Sequence, residues 1–367
     1  MSEKETVKKL NNRVIDEDVA RILAEDLPWE NFRGSTVLVT GASGMIPSYV
    51  VYTLLGLNDT KDMGIKVLAL VRNEAKARGI FGDILSRPDI ELVVQDVTGP
   101  LSTDSPVDYI FHGAGPARPK QHKAAPTGTI KANLLGTINL LDLAVAKKSK
   151  GFVLMSSSEV YGKVDAEAAD GSSFKIGETD YGYLDCLDPR SCYSEGKRAA
   201  ETVCASYMAQ YGIRCSIPRF AHIYGPGLGL DDGRVQADFA ANVFRGENIV
   251  MKSDGSSKRA YTYVSDAAAG MFYALLKGDE TAYNIADSDN VISIRRLAEA
   301  FIASRPEKEL KLIIDIPPEQ AGLYNPAKYI GLDNSKIKSL GWSPKVSIAE
   351  GTRRMIAHYE ISAGAQK

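Results

Sequence analysis

The chain has 367 residues, 44% hydrophobic and 25% charged, with a formal net charge of −2, which is the profile of a globular domain rather than a disordered or basic nucleic-acid-binding chain. Four cysteines without a CxxC pair and only four histidines argue against a metal site or disulfide framework. No apolar run approaches the roughly 20 residues of a membrane span, and the N-terminus has no apolar core like that of a signal peptide, so the expectation is a cytoplasmic protein with reduced thiols and neither nucleic-acid nor membrane partners.

Residues 1–33 read as an N-terminal helical extension, with Val14, Val19, Ile22 and Leu23 on one side of a short amphipathic helix. TVLVT (36–40) is a β-branched apolar run, the signature of a strand buried on both faces. The glycine turn TGASG follows, then a helical stretch from about Met45 to Leu57. Further strands are expected at VLALV (67–71), IELVV (90–94), YIFHGAG (109–115), GFVLMSS (151–157) and CSIPRF (215–220), with helices at 129–149 and 195–211. Strands alternating with helices predict a Rossmann-type doubly wound parallel sheet over 34–225. After residue 225 the rhythm breaks into a glycine-rich loop, helices near 235–246 and 293–304, and short strands. Residues 226–367 are therefore read mainly as a smaller α/β substrate lobe, with chain crossing back to the first domain.

Three constellations carry chemistry. Strand, GxxG, helix lays a pyrophosphate on a helix N-terminus, with Gly41 at the tight turn and Gly44 where the backbone approaches the ligand. Pro47 occupies the third glycine's place, and as a first-turn residue it loses no helical N–H bond. The expected consequence is a slightly displaced helix with Met45 and Ile46 beside the cofactor. Asp96 is placed to bind the adenine amino group, whereas Arg72 stands where an acid would bind the ribose 2′-hydroxyl. That arginine either accommodates a 2′-phosphate, admitting NADP, or stacks on adenine. SSSEVYG (156–162) puts hydroxyls and a carboxylate at a strand's C-terminal end. Tyr193 and Lys197 share one helix face, where an ammonium lowers the phenol's pKa from its usual ~10.

Together these motifs resemble the extended short-chain dehydrogenase/reductases, the nucleotide-sugar epimerase, dehydratase and decarboxylase group, over roughly 35–360. The resemblance implies NAD as a retained cofactor that takes a hydride from the sugar and returns it, and a nucleotide-diphosphate sugar as partner. Tyr193 would be the base, Lys197 its electrostatic partner and Ser157 the orienting hydroxyl. Ser43, Val97, Ala114, Gly115, Pro116 and Asn133 complete the expected cofactor contacts. HGAGPA (112–117), TDYGYLDCLDPRSCYSEGKRAAET (179–202), DDGRV (231–235), KRAYTYVSD (258–266) and LGW (340–342) are similar to the UDP-glucuronate decarboxylase branch. By that similarity Ser158 and Glu159 join the catalytic group, Arg234 and Arg259 hold the nucleotide diphosphate, and Arg118, Glu159, His222 and Lys328 complete the substrate contacts. Family members usually form homodimers through the helices corresponding to 129–149 and 192–211.

Three positions depart from that branch. The arginine expected before LGW is absent, leaving Lys328 and Tyr329 nearby; His222 replaces an asparagine; and Gly227 replaces an arginine. A lysine pairs with a carboxylate as a point charge, not as a fork. A nucleotide-sugar 4,6-dehydratase is the nearest competing reaction, with Glu159 taking the C5 proton. A 4-epimerase comes third, and a non-catalytic NAD(P)-binding scaffold is the reading from another class.

Overall fold

The computed structural model describes residues 12–164, 175–279, 281–316 and 331–364. In chain order, α1 (Arg13–Leu23) precedes β1 (Thr36–Thr40), α2 (Met45–Lys61), β2 (Lys66–Val71), α3 (Glu74–Phe81), β3 (Ile90–Val94) and β4 (Tyr109–His112). Then come α4 (Pro119–Ala124), α5 (Pro126–Lys147), β5 (Gly151–Leu154), β6 (Ser156–Ser157), β7 (Lys175–Ile176), α6 (Cys192–Tyr211), β8 (Cys215–Phe220) and β9 (His222–Tyr224). The C-terminal part adds α7 (Val235–Arg245), β10 (Ile249–Met251), β11 (Lys258–Tyr263), α8 (Val264–Leu276), β12 (Ala282–Ile285), β13 (Val291–Ser293), α9 (Ile294–Ala303), β14 (Leu312–Ile314), β15 (Gly331–Leu332), α10 (Ser335–Ser339) and α11 (Ile348–Gly364).

The central sheet has eight strands in the order β12–β8–β5–β4–β1–β2–β3, with β6 also paired to β8, and every pairing is parallel. All five residues of β1 are buried, as a strand covered by helices on both faces requires. The chain reverses its direction of winding between β1 and β4, so a crevice opens at their C-terminal ends, where such sheets bind ligands. The predicted strand over 109–115 ends at His112, and Gly113–Gly115 leave the sheet to floor that crevice. The stretch predicted as one strand over 151–157 breaks at Met155, and Ser156–Ser157 continue beside β8. The predicted 195–211 helix begins earlier, at Cys192, which brings Tyr193 into its first turn.

β12 returns from the C-terminal part to pair with β8 in the central sheet. β9 and β11 run parallel beside the crevice, with His222 opposite Tyr261. Helix α1 buries Val14, Val19 and Ile22 and packs on α2, α8 and α11. Its Asp18, fully buried, accepts hydrogen bonds from Tyr49, Tyr263 and Arg354, tying three distant segments together.

Candidate active site

The crevice is a cleft of about 990 Å³, room for a dinucleotide and a second ligand together. One end is built from backbone. Gly41, at φ 64°, turns the chain so tightly that a Cβ there would lie 2.8 Å from the Ala114 Cα. Gly44 caps α2 and Met45 opens it, so the unpaired first-turn N–H groups of Met45 and Ile46 belong to the cleft lining. Pro47 is accommodated from across the cleft: a Cβ on Gly113 would sit 2.5 Å from the proline ring, so the glycine missing from the helix is matched by one at the end of β4. Thr40 Oγ1 bonds the buried His112 Nδ1 at 2.9 Å and accepts from the Ala114 N–H at 3.3 Å, fixing the floor. Burial and the nearby Lys197 push the His112 pKa down to about 3, so its ring stays neutral.

At the far end of β2, Arg72 reaches Asp96 at 3.8 Å. Asp96 also accepts from the Thr98 N–H at 2.9 Å and the Thr98 hydroxyl at 2.8 Å, and these bonds hold its pKa below the usual carboxylate value. Lys76 lines the same end, and its pKa is lowered by burial and by Arg118. Ser43, Val97, Gly115 and Pro116 also line the cleft. Asn133 sits behind that wall, buried, its Oδ1 unpartnered and 3.2 Å from where a Gly115 Cβ would be.

Along the middle, Ser157, Ser158, Glu159, Tyr193 and Lys197 all face one space. Ser157 caps a short helical turn by accepting from the Glu159 N–H at 3.2 Å, and Ser194 donates to Glu159 at 3.4 Å. Arg198, on α6, donates to the Val160 and Gly182 carbonyls at 2.6 and 2.7 Å and so locks the SSSEVYG turn against the helix. Lys197 Nζ lies 5.9 Å from the Tyr193 ring centroid and donates to the Met155 carbonyl at 2.8 Å. The expected depression of the tyrosine pKa is not present: burial raises it, and the counteracting pull comes from Ser157 and Arg234. The i, i+4 spacing puts the ammonium beside the ring, but its hydrogen bond goes to Met155, and burial lowers its pKa to about 8.

The opposite wall is made of side chains from distant segments. His222, Arg234, Arg259 and Tyr261 line it, with the His222 ring edge-on to Tyr261 at 5.7 Å. Burial, Arg259 and Arg234 push the His222 pKa down to about 4, so it is neutral near pH 7. Arg234 forks onto the buried Asp232, with one bond at 3.0 Å, and Arg118 bridges to Asp231 at 3.0 Å and Asp232 at 3.5 Å. Asp232 thus orients two arginines; it stood inside the DDGRV run, but its partner Arg118 lies over a hundred residues earlier in the sequence. Gly227 lines the cleft beside Met45. Lys328 lies outside the described residues. Asn73, Lys76, His122, Arg190 and Gln236 also line the cleft without having been singled out. Arg190, three residues before Tyr193 in the run PRSCYSEGKR, had a local signal; His122 had none.

A doubly wound sheet, a glycine turn after its first strand and a Tyr–Lys pair on one helix face define a dinucleotide-binding fold of the short-chain dehydrogenase type. The chain belongs to the NAD dependent epimerase/dehydratase family, whose model matches residues 37–286. It is 33% identical to UDP-glucuronic acid decarboxylase 6 of Arabidopsis thaliana over 90% of each chain. It is 30% identical to UDP-glucuronic acid decarboxylase 1 of Danio rerio over 88% of this chain and 72% of that one. Its fold is similar to that of UDP-glucose 4-epimerase from Thermotoga maritima, solved with UDP-glucose (TM-score 0.72, 23% identity, 89% of this chain and 99% of that one). It is likewise similar to dTDP-glucose 4,6-dehydratase from Bacillus anthracis, solved with NAD (TM-score 0.70, 19% identity, 89% and 96%).

The residues present fit such a cofactor. The turn between β1 and α2 has no side chain at Gly41 or Gly44 to obstruct a pyrophosphate, and the first-turn amides need acceptors.

Proposed function

We propose that the protein is a nucleotide-sugar lyase that decarboxylates UDP-glucuronate to UDP-xylose. Two observations together support this reading: nine-tenths of the chain aligns with UDP-glucuronic acid decarboxylases, and Ser157, Glu159, Tyr193, Arg234 and Arg259 face one cleft. A nicotinamide cofactor, when held on the glycine turn, would supply a hydride acceptor and donor at sugar C4. Tyr193 takes the C4 hydroxyl proton, with Ser157 orienting that hydroxyl and Lys197 stabilising the phenolate. The ketone at C4 makes the C6 carboxylate a β-keto acid, which loses CO₂ because the carbonyl accepts the electron pair. Glu159, or water held by it, delivers the proton to C5, and Tyr193 returns its proton as C4 is reduced. Arg234 and Arg259 bind the diphosphate, Arg118 and His222 border the sugar, and Lys328 pairs with the sugar carboxylate as a point charge.

A dehydratase is the second reading. It is favoured by the absence of an arginine between Tyr324 and Trp342, where the decarboxylase branch has its carboxylate partner, because a neutral hexose needs none. NAD is the expected cofactor, and the cations Arg72 and Lys76 also admit the 2′-phosphate of NADP, a choice decided by comparing the affinities of the two. A homodimer through α5 and α6 is proposed from Ile130 and Leu135, exposed on α5, and Tyr211, exposed on α6; sedimentation tests it.

The test is to incubate the protein with UDP-glucuronate and with UDP-, dTDP-, GDP- and CDP-hexoses and to weigh the products. Loss of CO₂ from UDP-glucuronate is expected. Untouched UDP-glucuronate with water lost from a hexose would replace this reading by the dehydratase. An isomer of unchanged mass would indicate an epimerase.

A further inference from the structure

His122 belongs to a six-residue helix, α4, between β4 and α5, and its ring lies flat on Tyr193: the centroids are 4.4 Å apart and the planes 13° from parallel. Two anchors hold it there. The His122 Nε2 is 3.0 Å from the Pro116 carbonyl, and since a carbonyl only accepts, that nitrogen carries the hydrogen. The Cys192 thiol lies 3.9 Å from the His122 carbonyl, a weak bond that ties α4 to the start of α6. The Lys197 ammonium stands 5.9 Å from the centroid of the same tyrosine ring.

This arrangement has a mechanical consequence. Tyr193 sits in the first turn of α6, and Ser157 bonds its side chain at the hydroxyl end, which leaves the faces of the ring to be held by packing. A phenol can rotate about χ1 and χ2 wherever no neighbour blocks it, and an acid–base group must be held to within a fraction of an ångström of its target. The imidazole covers one face of the ring and is itself pinned to the Pro116 carbonyl, just beyond the end of β4.

We propose that His122 is a positioning residue for Tyr193, a ring clamp that holds the phenol in its proton-transfer orientation through stacking rather than through proton exchange. The inference rests on the reading of Tyr193 as the base. Removing the clamp lowers kcat and leaves binding of the nucleotide sugar, which depends on the opposite wall, nearly unchanged.

The experiment compares His122→Ala with His122→Phe, which keeps a planar ring and loses both nitrogens. Thermal unfolding and cofactor content establish that each variant is folded. His122→Ala is expected to lose roughly 10- to 100-fold in kcat with little change in KM, the scale of a misplaced catalytic group. His122→Phe is expected to recover most of that loss. An unchanged kcat in His122→Ala overturns the proposal, and so does a phenylalanine variant as slow as the alanine one. A second readout does not need turnover: a fluorotyrosine placed at position 193 senses the stacked ring by fluorine NMR. Its resonance should move in His122→Ala and stay close to the parent in His122→Phe; an unmoved resonance in His122→Ala overturns the clamp. If the parent protein processes no nucleotide sugar, the functional reading fails by itself, and the fluorine resonance still decides whether His122 restrains Tyr193.

Discussion

The two ends of the cleft are built by different means. The end beside β1 and α2 is backbone: Gly41, Gly44 and Gly113 bring strand ends and a helix N-terminus together, and the side chains mostly stay out. The end beside β9 and β11 is side chain: Arg118, Arg234, Arg259 and His222 come from separate segments, and buried Asp232 orients two of them. A backbone site tolerates the exchange of one side chain for another, as Pro47 illustrates, but not an added Cβ at a close approach. A side-chain site can be retuned one residue at a time without disturbing the sheet, and His222, one of the departures from the decarboxylase branch, lies there.

The sharpest cut between the two ends is Tyr193→Phe, which should lower turnover about 10²- to 10⁴-fold while bound cofactor, measured by absorbance after denaturation, stays at parent level. Equal loss of cofactor would mean that the tyrosine serves the backbone end instead. Gly113→Ala should come next. Its Cβ would lie 2.5 Å from the Pro47 ring and 2.7 Å from Met155 Sδ, an overpacking that costs about 1–3 kcal/mol in denaturant unfolding. Pairing it with Pro47→Gly should restore part of the loss, and strict additivity of the two changes would show that Gly113 does not compensate for Pro47. At the side-chain end, Arg234→Lys keeps the charge and loses the fork onto buried Asp232, so KM should rise roughly tenfold. The smallest effect is titration of Lys197, whose pKa burial lowers to about 8. Its ammonium is lost as pH rises through that value, so kcat should decline above about pH 8 in a profile of initial rates. Stability should move the other way: between about 8 and the usual ~10.4 the unfolded chain binds more protons than the folded one, so unfolding free energy gains with pH. Lys197→Met should remove that pH-dependent gain.

Much of the backbone end was legible because its parts are neighbours in sequence. TVLVT, the glycine turn and the start of α2 lie within fifteen residues, and burial of β1 on both faces leaves its apolar run unbroken. The parallel sheet followed from alternating periodicities, since parallel neighbours need a crossover connection and most of those here are helices. The pairing of Tyr193 with Lys197 on one helix face was likewise local, yet its electrostatic consequence was not. Spacing places the ammonium near the ring, but the carbonyl of Met155, forty-two residues from Lys197, takes its hydrogen bond, and the depth of the cleft raises the phenol's pKa.

Strand periodicity, the glycine turn and helix-face spacing are local properties, and from them the sequence alone determined the fold class and the crevice, while Arg118, His222, Arg234 and Arg259 were reached only through the family resemblance. Only the tertiary structure decided that Gly113 makes room for Pro47, that Asp232 orients Arg118 and Arg234, and that His122 stacks on Tyr193. These are contacts between segments far apart in the chain, set by how the two walls of the cleft meet, and no periodicity of the sequence encodes that meeting.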